Sequence, residues 1–341
     1  MIKIFETLKL ILINSLIFFV VLIIIEIIFG SWFKNNFNLR LSSERNINRV
    51  YNFDFKNHKG QSKYIRDNLG FRVKEKNIKP NEVDIVFAGG STINQKFLNY
   101  DETIVGLIQK RFDKINIVNS GVDGISIVGH INSFELWYNK IDNFRPKYYI
   151  FFIGLNDRYI LDDNKKRPVD QLIESSFEGR IREYLESNSF FYKQFRKIKS
   201  ILYLKFGFKK GANHVNEKSF VYAERNNNDF VKYSEILNKK DQLNYKGIYN
   251  KYLKDLTDRV LENNSKIIYI TQTSGYGMSD KLFIIANTIM DHCKNNNLTC
   301  FNAAKDINFE YSDFYDGVHL NRKGTEKISI YLYKNLSKIL N

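Results

Sequence analysis

Three short apolar runs, each followed by a loop, constrain this chain more than any other feature of it. Val83–Ala88 (VDIVFA) stops at Gly89-Gly90, Tyr148–Ile153 (YYIFFI) stops at Gly154, and Ile267–Thr271 (IIYIT) follows a stretch of helical spacing. Short runs with almost no polar alternation are strands buried on both faces, as in parallel sheets. Ile115–Val118 and Thr299–Asn302 read as two further strands. Helical spacing occupies Asp101–Phe112, Ile127–Ile141, Tyr249–Glu262, Lys281–Lys294 and Lys323–Leu340. Strands alternating with helices predict an α/β domain with a parallel sheet covered on both faces.

The N-terminus obeys a different constraint. Leu10–Phe29 reads LILINSLIFFVVLIIIEIIF, with Asn14 and Glu26 its strongly polar members. About 20 residues at ~1.5 Å each match a hydrocarbon core of about 30 Å. Trp32 and Lys34 follow where the interface would be. No small-residue cleavage site follows, so the expectation is a retained transmembrane helix, with residues 10–32 in contact with the membrane and Glu26 near enough to one end to reach head groups. Lys3 and Lys9 precede the span, and Lys34, Arg40, Arg45 and Arg49 follow it. That positive-inside count leans toward a cytoplasmic C-terminal domain.

The expected layout is an anchor at 1–33, a polar connecting region at 34–80 with a turn at Asn68-Leu69-Gly70, and the α/β domain at 81–341. Residues 158–245 are Lys-, Asn- and Tyr-rich, carry helix-like pieces such as Ile181–Phe195, and read as an insertion between the third and fourth strands. The formal net charge of +15 suits an anionic neighbour such as phospholipid head groups, an acidic polysaccharide or nucleic acid. No nucleic-acid-binding module is found by motif, so nucleic acid is not an expected partner. Cys293 and Cys300 flank a short Asn-rich turn, where a bridge and two free thiols both remain open. With no CxxC and no His/Cys cluster, neither a metal nor a cofactor is implied.

Ligands of open α/β sheets bind beyond the carboxyl ends of the strands. Ser91, Gly124 and Asn156 each follow a predicted strand at that edge, and Asp316 and His319 lie in the loop entering the last helix. A serine hydroxyl becomes a nucleophile when a base takes its proton, and His319 is that candidate base. Asp316, three residues earlier, can hold the imidazole in the needed tautomer. The N–H groups of Ser91 and Gly124 and the Asn156 side-chain amide are the candidate oxyanion donors. Each piece has a structural alternative: Ser91-Thr92 as a helix start, Asn156-Asp157 as a helix entry with Asp157 a cap, Asp-x-x-His as a plain loop. His58, His130, His214 and His292 have no exploitable spacing and read as structural, His292 near a helix end where a cation suits the dipole.

Four blocks in this order resemble the SGNH (GDSL-type) hydrolase superfamily: Gly89-Gly90-Ser91-Thr92, Val118-Asn119-Ser120-Gly121-Val122-Asp123-Gly124, Gly154-Leu155-Asn156-Asp157 and Asp316-Gly317-Val318-His319. The resemblance covers about residues 82–157 and 265–340. It implies a three-layer α/β/α sandwich with a flavodoxin-like sheet, five-stranded by the runs above. It also implies a Ser91–His319–Asp316 site acting on esters, with oxyanion donors Ser91, Gly124 and Asn156. Two points depart from the pattern. Gly90 stands where the family often has an acidic residue, and Gly121 competes with Gly124 as the second-block donor. Asn68-Leu69-Gly70-Phe71-Arg72 is similar to a segment preceding the catalytic domain in membrane-anchored bacterial members. Those members often remove or transfer O-acetyl groups on cell-surface sugars outside the cytoplasmic membrane, and the expectation for orientation follows them.

The function expected from this reading is an anchored serine esterase acting on acylated carbohydrate or another ester, with polysaccharide-assembly proteins as further candidate partners. The rivals are a non-catalytic scaffold of the same fold that binds glycan, and a lipase or thioesterase.

Overall fold

The computed structural model describes residues 2–33, 47–75, 79–161, 168–171, 188–205 and 240–340, with Arg45, Ile181, Tyr184 and Leu185. The chain divides into two compact units, residues 1–43 with 173–213 and residues 44–172 with 214–341.

In the first unit, helix α1 spans Ile2–Phe29. Its stretch Phe5–Phe29 is long and apolar enough to cross a membrane, and residues such as Leu10, Phe18, Ile23 and Phe29 are exposed along it. Phe190–Lys205 forms a second helix in this unit, designated α5 in chain order. The Glu26 carboxylate, expected to reach toward head groups, is occupied within the unit. It accepts from the Phe190 and Phe191 N–H groups at 2.9 and 3.0 Å and from Trp32 Nε1 at 2.9 Å. The carboxylate thus caps the start of the second helix, where the first-turn N–H groups have no carbonyl of their own.

The second unit carries a two-stranded antiparallel hairpin, β1 (Ile47–Phe55) and β2 (His58–Arg66), and a five-stranded parallel sheet. The sheet strands are β3 (Ile85–Gly89), β4 (Ile117–Asn119), β5 (Tyr148–Ile153), β6 (Lys266–Thr271) and β7 (Thr299–Phe301), in the order β4-β3-β5-β6-β7. That is the doubly wound order in which the chain reverses its direction of winding after its second parallel strand. Register pairs Ile85 with Ile117 and Gly89 with Phe152, and Ile153 with Thr271.

Alternate residues of each strand point to opposite layers. Phe87, Ile150, Phe152, Ile268 and Ile270 pack in one core with α3 (Ile104–Gln109) and the C-terminal helix α8 (Arg322–Leu340), through residues such as Ile108 and Leu332. On the other face Tyr149 meets Phe134 of α4 (Ile127–Leu136) at 4.9 Å, and His130 lies edge-on to Phe151 at 5.4 Å. Tyr269 donates to the Leu253 carbonyl of α6 (Lys240–Glu262), and α7 (Asp280–Asn295) completes that layer. Each fully buried Phe or Ile contributes about 1.5–3 kcal/mol. Helix starts follow the polar caps in the sequence: Thr103 accepts from Gly106 N–H, Ser126 from Val128 N–H and Ser279 from Leu282 N–H. Three-layer α/β/α architecture with five parallel strands is therefore as expected. Part of the Ile181–Phe195 piece and all of 206–239, His214 included, lie outside the described residues.

The polar stretch before the sheet does more than connect. Arg72 bridges backbone to both Arg66 and Asn119, which ties the hairpin to the β4 edge. Both arginines are fully buried. Arg66 Nη1 donates to Tyr64 Oη, Asn94 Oδ1 and the Gly121 carbonyl, at 3.1, 3.2 and 2.8 Å. Arg72 donates to the carbonyls of Asn94, Gln95 and Leu98, at the end of the short helix α2 (Ser91–Asn94) and in the turn after it. A guanidinium is suited to this: five donors in a rigid plane, serving orphan carbonyls at a helix end. Burial pulls the Arg72 guanidinium down to about 10, which still leaves it charged at neutral pH.

Arg72→Met keeps the packing volume but takes the guanidinium donors from the Asn94 and Leu98 carbonyls, while the Gln95 carbonyl keeps the Leu98 N–H at 3.0 Å. We expect urea denaturation of that variant to show a loss of about 2 kcal/mol or more, at about 1–3 kcal/mol per unsatisfied group. A loss below 1 kcal/mol would mean the carbonyls find other donors.

Candidate active site

The sheet order brings the ends of β3, β4 and β5 to one rim at the reversal of winding, the crevice where doubly wound folds take ligands. β3 ends at Gly89, and Ser91 opens α2 two residues later, after Gly90. Gly124 follows β4 with φ +80°, and Gly154 follows β5 with φ +132°. Both are left-handed or extended-positive conformations that glycine alone adopts at little cost. They turn the chain sharply enough to keep Ile125 and Asn156 side by side, and Asn156 Nδ2 donates to the Ile125 carbonyl at 2.8 Å.

His319 Nε2 lies 2.7 Å from Ser91 Oγ, across 228 residues of chain. Its Nδ1 lies 2.8 Å from Asp316 Oδ2 and 3.0 Å from Oδ1. A carboxylate accepts only, so Nδ1 carries the proton and Nε2 accepts from the serine hydroxyl. Asp316 also accepts from the Val318 and His319 N–H groups at 2.8 and 2.7 Å, which curls the loop and sets the ring angle. Burial pushes the Asp316 carboxyl up, but His319 and those N–H groups outweigh it, and the net shift is downward. Burial likewise pulls the His319 imidazole down, and Asp316 with a smaller contribution from Asp123 reverses it, so its net shift is upward from 6.5.

Four of the five expected site residues are thus joined directly or through one neighbour. Ser91, His319 and Asp316 form one hydrogen-bonded chain, and the Asn156 amide sits over Gly90. A Cβ built on Gly90 would fall 2.4 Å from Asn156 Nδ2. The departure from the family's acidic residue therefore has a steric counterpart here. Gly124 stands beside Ile125 and so beside Asn156, while Gly121 N–H is already donated to Asn119 Oδ1 at 2.9 Å. Asp157 is not at the reacting end. Its carboxylate takes Ile127 N–H at the start of α4 and the Tyr249 hydroxyl, both at 2.7 Å, so it caps a neighbouring helix rather than its own. Burial raises it to about 6.

The other described histidines are interior groups. Burial pulls His130 down to about 3. His58 Nε2 donates to the Phe97 carbonyl at 2.7 Å, and burial lowers its pKa. His292 bonds Asn250 and Thr257 side chains, and burial lowers it too, so the charge–dipole role expected near its helix end is not the one it plays.

Several groups at the site were not singled out by sequence. Tyr315 stacks on His319 at 5.4 Å and 6°, His58 on Tyr315 at 5.3 Å and 21°, and Phe53 on His58 at 4.4 Å and 15°. The hairpin thus backs the imidazole with a column of rings. Its tip reaches the same loop: Asn57 Nδ2 donates to the Tyr311 and Phe314 carbonyls at 3.3 and 3.2 Å. Asp123, half-exposed, accepts from Asn94 Nδ2 at 2.8 Å and Lys96 Nζ at 3.0 Å. Burial raises Asp123, and Lys96 and Asn94 overcome that to give a net downward shift. Gln272 stitches β5 to α2: its amide donates to Thr92 Oγ1 at 2.7 Å and to the Phe152 carbonyl at 3.0 Å, and its carbonyl accepts from Leu155 N–H at 2.8 Å. Only Asp123 carried a signal, its place beside Gly124. The ring column joins segments too distant for any local pattern.

Residues 57–332 match the GDSL-like Lipase/Acylhydrolase family, and the chain belongs to it. Three solved structures are among those to which the chain is similar. One is a member of the lipolytic protein G-D-S-L family from Veillonella parvula, with 13% identity, 74% of this chain and 97% of that one covered, and a TM-score of 0.42. The second is Est24, a carbohydrate acetylesterase from Sinorhizobium meliloti, with 10% identity, 75% and 99% covered, and a TM-score of 0.41. The third is the psychrotrophic esterase EstA from Pseudoalteromonas sp., with 14% identity, 76% and 98% covered, and a TM-score of 0.39. No curated protein matches the sequence.

Two outcomes follow from this geometry. For a reaction in which Nε2 takes the Ser91 proton, the imidazole must be neutral, so activity falls as pH drops through its pKa. The acid limb of kcat/KM on a soluble ester should then lie above pH 6.5, given the upward shift of His319. Asp123→Asn removes one anion that raises it, so the limb should move to lower pH with the plateau within about tenfold of the parent; an unmoved limb would assign Asp123 no electrostatic influence. Gly90→Ala is compatible with the backbone there, φ −80°. The Asn156 amide must shift and give up the Ile125 carbonyl, so a loss of about 1–3 kcal/mol in stability is expected. The substitution should lower kcat by roughly 10- to 100-fold by displacing the Asn156 amide, and an unchanged kcat would show that this amide is not needed where it sits.

Proposed function

We propose that this chain is a serine ester hydrolase anchored in the cytoplasmic membrane by residues 5–29, acting outside it to remove or transfer O-acetyl groups on cell-surface carbohydrate. The observation that carries the reading is the unbroken Asp316–His319–Ser91 hydrogen-bonded chain, at 2.8 and 2.7 Å. Nothing in the packing of a scaffold requires those three groups in that order.

In the proposed mechanism Ser91 Oγ attacks the ester carbonyl as His319 Nε2 takes the hydroxyl proton. Asp316 keeps Nδ1–H oriented and stabilises the imidazolium. The carbonyl oxygen becomes anionic against the Ser91 N–H, the Gly124 N–H and the Asn156 side-chain amide. The tetrahedral centre collapses, His319 gives its proton to the departing sugar oxygen, and the C–O bond to the alcohol breaks. Water, or an acceptor hydroxyl, then repeats the attack on the acyl-enzyme with His319 again as base, which frees Ser91 and releases the acid or the transferred ester. Each oxyanion donor is worth on the order of 100-fold in rate or more.

Membership of the GDSL family supports the ester chemistry. The charged Asp123–Lys96 pair beside His319 and the half-exposed Tyr276 ring against Gly317 favour a polar, carbohydrate-like alcohol over a long acyl chain. The apolar α1 favours the anchor. The Cys293–Cys300 disulfide favours an oxidising compartment for the domain, and against it stands only the weak charge bias around the span. Polysaccharide-assembly proteins would be natural neighbours of such an enzyme.

A fluorophosphonate probe should label the full-length protein and fail on Ser91→Ala. In a series of p-nitrophenyl esters, acetate should be turned over at least about tenfold faster than octanoate. Absence of labelling together with absence of acetate turnover defeats the esterase reading, and a preference for octanoate transfers it to a lipase.

A further inference from the structure

We propose that Phe190–Lys205 (α5) is an interfacial helix that lies on the bilayer beside the anchor, with its apolar face in the lipid and its basic face toward anionic head groups. The inference rests on the anchor reading above and adds a second, in-plane membrane contact to it.

The sequence of this helix is FFYKQFRKIKSILYLK, with no acidic residue and five Lys or Arg. At 100° per residue, Phe191, Phe195 and Ile198 share one side, and Lys193 and Arg196 point to the other. All three apolar side chains are exposed, at 38, 63 and 55%. Exposed aromatic and aliphatic groups on one face, with cations opposite and low overall hydrophobicity, define a helix that lies in an interface rather than one that spans.

Its location selects the lipid as the occupant. Glu26 lies three residues before the end of α1, about 4.5 Å along the axis. Its carboxylate takes the first two N–H groups of the helix, those of Phe190 and Phe191, and the Trp32 indole N–H. Ser31 N–H donates to the Asn188 carbonyl at 2.8 Å. Trp32 meets Tyr184 edge-on at 5.5 Å, and Phe29 meets Phe190 at 5.4 Å. Trp and Tyr favour the boundary between hydrocarbon and water. The helix therefore starts at the depth where the anchor leaves the hydrocarbon. Lys193 and Arg196 keep it from sinking, and three large apolar side chains oppose its lifting into water. Lying in the plane satisfies both, and anionic head groups complement the basic side. A polar ionisable residue near the end of a membrane span also gains a purpose: it sets where a second element joins the boundary.

Both native cysteines are in one disulfide, so an engineered cysteine takes a fluorophore alone. The full chain would be reconstituted in phosphatidylcholine–phosphatidylglycerol vesicles carrying lipids nitroxide-labelled on the acyl chain. Three single variants are labelled: Ile17→Cys on the anchor, Phe195→Cys on the apolar face and Lys193→Cys on the basic face. We expect strong quenching at 17, quenching at 195 at least about twofold greater than at 193, and a depth of about 5–10 Å for 195. Quenching at 17 without quenching at 195 overturns the interfacial helix and leaves the anchor standing. A blue-shifted but unquenched 195 also overturns it, because protein rather than lipid then covers the face. No quenching at 17 overturns both readings. With the label at 195, Lys193→Gln with Arg196→Gln should reduce quenching in the anionic vesicles and leave it unchanged in pure phosphatidylcholine, and equal quenching in the anionic vesicles removes the head-group part of the proposal.

Discussion

Parallel pairing of β3 with β5, with Gly89 opposite Phe152, sets the height at which both chains leave the sheet. Ser91 comes two residues after the first of these and Asn156 three residues after the end of the second, so their separation is a matter of register. A slip by one residue would turn Phe87 and Phe152 out of the core they share, which costs several kcal/mol. The hydrophobic interior thereby enforces a polar arrangement to which it contributes no atom. β4 on one flank brings Gly124 to the same rim, and β6 on the other brings Gln272, whose amide and carbonyl lock the β5 exit to α2.

His319 has no strand behind it, and a loop at a rim needs another source of order. Two sources are visible. Asp316 holds its own loop through backbone N–H groups, and the hairpin holds both halves of the site at once. Ser62 and His58 of the hairpin bond the Lys96 and Phe97 carbonyls after the Ser91 segment, while Asn57 bonds carbonyls just before Asp316. The two buried guanidiniums complete the clamp. Charge is usually expensive in an interior, and here it is met by carbonyl dipoles that the turns after α2 and β4 would otherwise leave unpaired.

Much of this was legible in the sequence because burial on both faces leaves a plain mark. Tyr148–Ile153 matches its strand end for end, and Ile267–Thr271 differs by one residue. The site motifs were legible because each sits at a strand exit, where chemistry and topology coincide. The hairpin was not. Its strands are polar on the outer side, its turn is Lys56-Asn57 rather than a glycine pair, and its inward Phe53 and Phe55 alternate over too few residues to stand out. The first turns of α6, Lys240 onward, carry no apolar period and were read as insertion. Whether Cys293 and Cys300 pair is a question of Cα separation, 6.1 Å here, which a spacing of seven leaves undecided. Glu26 gave no hint of its bonds to Phe190 and Phe191 because those residues lie more than 160 positions away.

The hairpin changes where this enzyme begins. By motif, the domain opens near residue 81, and everything before it resembles a stalk. By packing, residues from Ile47 onward back the candidate site, joined to it by buried cations and stacked rings. A stalk can be lengthened, shortened or cleaved without consequence for the enzyme it carries. This segment cannot, because its rings stack behind the His319 imidazole and its buried arginine holds the turn after β4.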